Sequence, residues 1–439
     1  MGEFYSDVLE RGIRLIYFQA DRSLFPEGVK LISEAVEAGE PDAYYFLARC
    51  YGWEDADVKE DSRKARELSK RGIQLGSDLC VLGAERMDIL KGDLKAAMTR
   101  SLWDSLQAVL KVAEAGEPMA QYAVGLFYFW GDMLMNFQKP DRAGFSQCEQ
   151  ENAAEALKWF RLSAEQGCLP AFRNAFNSVR TGLNGTKKDV SEALRWVETV
   201  GKEVDLRDYY HDIIGEYQDL KDYKSAVRWC QRGIEAGDPL SANSLGLILL
   251  EGKDQVPMDE KEALRLFELG AAWGNEYAYY NVGRCYYNGW GCSYDYGKAF
   301  ENLHKAYTMG HSGSRGLLAR CYYWGRGTAE NYAEAFRLTK ALETEGKWYP
   351  KEILGLCYLH GRGTPADLPK AKLILEDAVK DNQYVWRYLG EMYDKGLGVP
   401  EDVPKAAECY EKALKAGCTA ASEDLSRFKK TLFGKWKRR

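Results

Sequence analysis

A twelve-residue pattern returns four times in the second half of the chain at a nearly constant interval. The copies read YNVGRCYYNGWG (280–291), GLLARCYYWGRG (316–327), EILGLCYLHGRG (352–363) and RYLGEMYDKGLG (387–398). The small residues at the centres of successive copies are 36, 36 and 35 residues apart. Self-similarity at such a period indicates a repeat architecture, in which each unit stacks on its neighbours instead of building a core of its own.

Looser copies extend toward the N-terminus. They read AYYFLARCYGWED (43–55), AQYAVGLFYFWGD (120–132), AFRNAFNSVRTGLNG (171–185) and SANSLGLILLEGK (241–253). A faint copy lies at 78–92, and the stretch 209–237 is a shorter version without the glycine loop. About ten units of roughly 36 residues therefore account for nearly the whole chain.

Each unit has the pattern of two helices joined by a turn. In the first helix, apolar and small residues such as Ala278, Val282 and Cys285 recur at helical spacing. A small residue in the pattern, Gly283 or its equivalent, lets the second helix approach closely, and the loop glycines end the first helix. One helix pair cannot bury its apolar face alone. The sequence therefore predicts an all-α fold, a right-handed solenoid of stacked helix pairs.

We expect this solenoid to span residues 28–425. Residues 1–27 then form an N-terminal capping helix region. Residues 426–439 form a basic C-terminal capping segment, which favours either a solvated capping helix or a contact with anionic lipid or nucleic acid. An insertion at 132–151 interrupts the third unit, because Gly131 precedes the second-helix alanine by 25 residues where later units have ten.

The pattern A-x-x-x-L-G-x-x-Y-x-x-G-x-G, followed by K-A and a closing A-x-x-G, resembles the Sel1-like repeat, a relative of the tetratricopeptide repeat. The sequence departs from it at Phe176, Ala48 and Ala319, where glycine is usual, and near residue 218, where the loop is missing. The resemblance implies a scaffold, as members of this family serve in protein quality control, signalling and bacterial host interaction. It also implies that the first helix of each pair lines a concave binding surface.

Composition argues against several functional classes. The net charge of −6 and the pI of about 5.6 give no general attraction for nucleic acid or acidic membranes. No stretch approaches the ~18 apolar residues of a membrane helix. The N-terminus is charged from its third residue and has no apolar signal core. We therefore expect a cytoplasmic protein whose eleven cysteines are reduced and act as small hydrophobic residues.

No motif indicates a metal, a cofactor or catalysis. The chain has no CxxC pair, no phosphate-binding G-x-x-x-x-G-K-[ST] loop, no H-E-x-x-H and only four histidines. Abundant carboxylates on amphipathic helices usually form the solvated face. We therefore predict a protein without cofactor or metal that is not an enzyme. The alternative is a site in the groove, for which only His360 with Glu251 or Glu391 comes near.

The resemblance maps the concave surface onto fixed positions of each first helix. The candidates for binding a peptide or protein segment are Tyr45, Arg49, Trp130, Asn243, Tyr280, Asn281, Arg284, Tyr287, Arg320, Tyr323, Trp324 and His360, with Trp53 at a further mapped position. Two interpretations remain open for the arginines. Arg284 and Arg320, each with a tyrosine three residues on, would suit a carboxylate-bearing and partly apolar peptide. They would equally well pair with Asp or Glu of the next helix, while the aromatic residues pack between repeats.

The insertion offers a second candidate surface. Met133, Met135 and Phe137 are costly to leave in water, and apolar loops rich in methionine repack readily against partners. The loop could instead fold back over its own groove. The sequence thus predicts an adaptor that binds a peptide or protein in its groove, and it names neither the partner nor the oligomeric state.

Overall fold

A computed structural model describes residues 4–52, 56–86, 98–141, 144–431 and 435–439. The chain divides into two compact units, Met1–Tyr209 and Tyr210–Arg439. Helices dominate both units, and consecutive helices pack against each other in pairs along the chain. The predicted all-α solenoid is confirmed. The boundaries of the capping segments, at residues 27 and 426, stay a prediction.

The first unit is a succession of helices with two 3-10 turns, Arg22–Leu24 and Arg207–Tyr209, and one π-helical turn, Leu134–Gln138. Its described helices are α1 Asp7–Tyr17, α2 Phe25–Glu37, α3 Ala43–Gly52, α4 Ser62–Gln74, α5 Asp78–Arg86, α6 Leu102–Glu114, α7 Pro118–Phe129, α8 Phe145–Ala164, α9 Leu169–Thr181 and α10 Val190–Val200.

The second unit holds the regular repeats and ends in two short strands, β1 Phe428–Lys430 and β2 Trp436–Arg438. A 3-10 turn, Gln383–Val385, precedes its last first-helix. Its helices are α11 Tyr210–Asp219, α12 Tyr223–Glu235, α13 Pro239–Glu251, α14 Glu260–Ala272, α15 Glu276–Asn288, α16 Tyr296–Thr308, α17 Ser314–Trp324, α18 Tyr332–Thr344, α19 Lys351–His360, α20 Leu368–Ala378, α21 Trp386–Lys395, α22 Val403–Lys415 and α23 Ala420–Ser426.

The second helix of each regular repeat begins at the same kind of cap. The side chain of an Asp or Asn accepts a hydrogen bond from the backbone N–H three residues later, which satisfies a donor that the helix itself leaves free. These capping residues are Asp259, Asp295, Asn331, Asp367 and Asp402. Sequence spacing and local capping chemistry therefore agree on where each second helix starts.

The loop glycines have two separate roles. Gly325 ends α17 in the left-handed conformation, as the sequence predicts. Gly327 lies against the preceding repeat, where a Cβ would overlap the carbonyl oxygen of Tyr296 at the start of α16. Gly291 and Gly363 make the same close approach to their own preceding repeats. The second glycine thus fixes the distance between neighbouring repeats.

Small residues in the first helices allow the close helix pairing predicted from the sequence. A Cβ on Gly283 would lie 2.6 Å from the side chain of Leu303 in the paired helix, and one on Gly355 would lie 2.6 Å from Leu375. Cys285 and its equivalents Cys321 and Cys357 are fully buried in the same interface. None of these three cysteines forms a disulfide, so they pack as small hydrophobic groups.

The C-terminal segment differs from the helix that its composition favoured. β1 pairs with β2 in antiparallel register, with Phe428 opposite Arg438 and Lys430 opposite Trp436. Phe428 is buried against the ring of Tyr410, while the next two residues are exposed. One anchoring aromatic residue followed by exposed lysines suits a strand with one buried face, and the capping-helix interpretation is wrong. In the part of the chain that the structure describes, no helix is long and apolar enough to cross a membrane.

Candidate functional site

Several first helices of the second unit contact one another directly across repeats, namely α11 with α13, α13 with α15 and α17 with α19, and the first helices carry most of the predicted binding residues. We use the term first-helix face for the polar and aromatic side chains at or beside these contacts on α13, α15, α17, α19 and α21. It includes Asn243, Asn281, Arg284 and Arg320. Two side-chain bonds connect its members across repeats. Asn281 on α15 donates to Asn243 on α13 at 2.8 Å, and Arg320 on α17 donates to Glu352 on α19 at 2.7 Å.

Arg284 is held in place without being neutralised. Its Nη1 donates to Oδ1 of Asn281 at 3.0 Å, and the buried Asn243 fixes the orientation of that amide. Its guanidinium carbon lies 5.5 Å from the ring centre of Tyr280 and 5.1 Å from that of Trp290, within the range of cation–π attraction. Within the described ranges, no carboxylate lies within ion-pair distance of Arg284. The side chain therefore keeps a net positive charge in a fixed position.

Arg320 occupies the equivalent position in the next repeat, yet it is neutralised. Its Nε lies 2.7 Å from the Glu352 carboxylate, and both side chains are largely shielded from solvent. The ring of Trp348 lies 5.8 Å from its guanidinium carbon. Of the two interpretations that the sequence left open, pairing with the next helix describes Arg320. It does not describe Arg284.

Tyr287 and Tyr323 lie inside the repeat interface and not on an open surface. Each is buried and is contacted by an arginine from the loop of the following repeat. Arg326 donates to the hydroxyl of Tyr287, and the guanidinium of Arg362 lies 5.8 Å from the ring of Tyr323. Burial raises the pKa of both hydroxyls. The repeat pattern did not point to these two arginines, although each lies between the loop glycines as Gly-Arg-Gly.

Trp324 and His360 are the exposed members of the predicted set in the later repeats. Desolvation lowers the pKa of His360, and the nearby Glu391 carboxylate opposes that shift. Glu391 is itself paired with Lys395 at 2.7 Å, and Glu251 is paired with Lys253. The two carboxylates considered as acid–base partners of His360, Glu391 and Glu251, are thus already paired with lysines. Among the described residues, no group of three or more His, Cys, Asp or Glu side chains could hold a metal ion.

The first unit places its candidate residues differently. Tyr45 and Arg49 are buried, and the Arg49 guanidinium lies 5.7 Å from the ring of Tyr45 and 5.4 Å from that of Tyr122. Arg49 of the first repeat therefore lies between a tyrosine of its own helix and a tyrosine from the first helix of the third repeat, α7. Trp130, by contrast, is 56% exposed. Trp53 lies outside the described residues.

The insertion folds partly onto the first unit. Phe137 packs edge-on against Trp103, with ring centres 4.9 Å apart, and lies 6.3 Å from Phe127. Met133 is half-buried, whereas Met135 is 70% exposed. The segment therefore combines a docked aromatic anchor with one free apolar side chain.

Two arginines of the basic tail, Arg427 and Arg438, pair with the chain's own carboxylates. Arg438 and Arg427 both lie against Asp394 of α21, at 2.9 and 3.0 Å, and that carboxylate is only 3% exposed. Arg438 also pairs with Glu401 at 3.0 Å. Part of the positive charge that suggested an anionic partner is therefore neutralised by ion pairs within the chain.

Two solved structures are similar to this chain. A Sel1 repeat protein from Oxalobacter formigenes has a solved structure that is 23% identical to this chain, covering 75% of it and 90% of its own length with a TM-score of 0.48. The structure of c5321, a protective antigen of uropathogenic Escherichia coli with an SLR fold, is 20% identical and covers 91% of this chain and 89% of its own, with a TM-score of 0.49. No curated protein sequence matches this chain.

The Sel1 repeat, as a sequence family, matches ten segments that together make up more than half of the chain. The segments are 41–77, 118–143, 144–168, 179–198, 215–238, 239–275, 276–311, 316–341, 353–376 and 387–418. Two of them, 118–143 and 144–168, meet within the insertion at 132–151 and together cover the helix pair α7–α8. The chain belongs to the Sel1 repeat family.

Proposed function

We propose that the protein is a non-enzymatic scaffold that binds a peptide or protein segment along the first-helix face of its second unit. The observation that carries this proposal is the state of Arg284. Its guanidinium is held by the hydrogen bond to Asn281 and lies between the rings of Tyr280 and Trp290. It has no carboxylate partner among the described residues, so it is available to bind an anionic group.

The surroundings of Arg284 supply contact area as well as charge. Tyr277 is an exposed aromatic residue at the start of α15, the helix that carries Arg284, and Trp324 and Trp348 are exposed at the end of α17 and just before α19. Rigid aromatic side chains give large contact areas at a low cost in conformational entropy. A ligand with one carboxylate and an adjacent apolar side chain would use both features. The buried candidates Tyr45, Arg49, Tyr287 and Tyr323 shape the interior and are not part of this proposed contact surface.

The face is preformed, which lowers the ordering cost of binding on the protein's side. For a short extended ligand held by one arginine and several rings, we expect micromolar affinity, roughly −8 kcal/mol. In this proposal the protein works in a reducing compartment such as the cytoplasm, since eight of its eleven cysteines are buried among side chains.

The test compares partners captured by the wild-type chain and by variants. Arg284→Ala should lose the partner, and the measured affinity for a peptide taken from it should fall by about tenfold or more, as expected for a lost charge-assisted hydrogen bond. Arg320→Ala should weaken binding less, because Glu352 already neutralises that arginine.

Arg265→Ala is the matched control, since Arg265 lies on a second helix in an exposed pair with Glu262. An unchanged affinity for the Arg284 variant, with a folded chain, would return this arginine to a structural role.

A further inference from the structure

A cavity of about 190 Å³ lies in the first unit where the chain between α1 and α2 meets α9 and the segment around 205–209. The backbone N–H of Ala20 donates to Asp205 at 3.2 Å and joins these two parts of the chain. The cavity is smaller than the roughly 300–1,000 Å³ of sites for drug-sized ligands. It has room for a small molecule only.

One wall of the cavity carries an arginine without a carboxylate partner. Arg173 donates its Nε to the hydroxyl of Tyr209 at 3.0 Å, and Phe172 packs edge-on against that tyrosine ring. The terminal nitrogens of Arg173 make no hydrogen bond or ion pair within the part of the chain that the structure describes. The other arginine of the cavity, Arg22, is instead paired with Asp57 at 3.2 Å.

The remaining lining is complementary to a molecule with both charges and an apolar part. Asp208 lines the same cavity, lies close enough to Arg173 to influence its titration, and has no ion pair or hydrogen bond among the described residues. The side chains of Ile16, Phe25 and Leu169 form the apolar part of the lining. A free guanidinium binds a carboxylate through two parallel hydrogen bonds, and a carboxylate attracts an ammonium group.

We propose that this cavity binds a small zwitterion of the α-amino-acid class. The ligand's carboxylate lies on the terminal nitrogens of Arg173, its ammonium group faces Asp208, and its side chain packs against the apolar lining. Because the cavity lies where early and late elements of the first unit meet, the bound ligand would hold these elements together. This site is separate from the proposed scaffold face and does not depend on it.

The test uses the full chain with each of the twenty common amino acids as the probe, one at a time. A ligand that binds the folded state alone raises Tm in a concentration-dependent way. We expect at least one apolar amino acid to do so, and we expect its N-acetyl and its amide derivative to lose most of the effect. Dissociation constants are then measured by calorimetry.

Variants locate the site. Arg173→Gln and Asp208→Asn should each weaken binding of the active amino acid by about tenfold or more. Arg173→Lys should weaken it less, because it keeps the charge and loses the paired geometry. Arg195→Gln is the control, since Arg195 is exposed on α10 in the same unit and makes no side-chain hydrogen bond or ion pair with the described residues.

Three results would overturn the proposal. One is a wild-type chain that no amino acid stabilises. Another is equal binding of the N-acetyl and amide derivatives, which would show that the site does not recognise the ligand's ammonium and carboxylate groups. The third is wild-type affinity in the Arg173→Gln and Asp208→Asn variants, which would place the ligand elsewhere. Should Arg173→Gln fail to fold, Arg173→Lys and Asp208→Asn decide in its place.

Discussion

Equivalent residues in neighbouring repeats differ in function because their neighbours differ. Arg284 and Arg320 have the same position in the repeat, and the sequence pattern predicts the same role for both. They differ because of Glu352, which lies on α19, the first helix of the following repeat, and pairs with Arg320. Arg284 instead contacts Asn281 of its own helix, and the preceding repeat holds that amide through Asn243. A pattern within one unit predicts which positions face the neighbouring helix, but the partner is set by another unit 30 to 40 residues away.

The glycine of the first helix gives a stability prediction at this scale. Gly355→Val places new atoms where Leu375 already lies, since a Cβ alone would come within 2.6 Å. Overpacking of this kind costs about 1–3 kcal/mol. The urea midpoint should therefore fall. Gly297→Ala is the control, because its Cβ meets only a side-chain oxygen at 3.4 Å in an exposed first turn, and it should be neutral or stabilising.

At the scale of elements, the terminal hairpin takes the place of a further repeat. Tyr287 and Tyr323 each receive an arginine from the loop of the following repeat. Asp394 stands at the corresponding position of the last first-helix and receives Arg438 from β2. The sequence could not reveal this, because the hairpin lacks the repeat pattern and its arginine lies 44 residues downstream, where the loop arginine Arg326 lies 39 from its tyrosine.

Removal of the hairpin should therefore destabilise the array through one buried charge. Deleting residues 427–439 leaves the buried Asp394 carboxylate without either arginine, and an unsatisfied buried group of this kind costs about 1–3 kcal/mol. Thermal unfolding of the truncated chain should show this loss. Asp394→Asn in the truncated chain should recover part of it, since the uncompensated charge is gone. A truncated chain as stable as the full one would show that the hairpin is not a cap.

At the scale of the whole molecule, periodicity predicted the architecture but not the contacts of individual side chains. A constant spacing of glycines and alanines is a backbone requirement that every repeat shares, so it can be recognised in one sequence. The burial of Arg49 between two tyrosines depends on how the first and third repeats pack against each other. The tail arginines likewise find their carboxylates only in the folded chain. Such contacts between distant residues leave no periodic signal.

Stability should be distributed locally along the chain. In a stacked array each repeat contacts mainly its neighbours, so stability is a sum of local terms. Gly355→Val should therefore speed amide exchange in α18 to α21 and leave the first unit at its wild-type rates. Hydrogen exchange read by mass spectrometry measures this directly. Uniform acceleration over both units would mean that the chain unfolds as one cooperative body.

The second loop glycine has a consequence for how such a chain can change its length. Gly291, Gly327 and Gly363 each abut the start of a second helix one repeat earlier, through the same backbone contact. Since all three junctions are alike, a DNA segment encoding one whole repeat could be duplicated or lost between them, and the two new neighbours would still fit. Length in this part of the protein is thus open to evolution by recombination, one repeat at a time, without new packing having to arise.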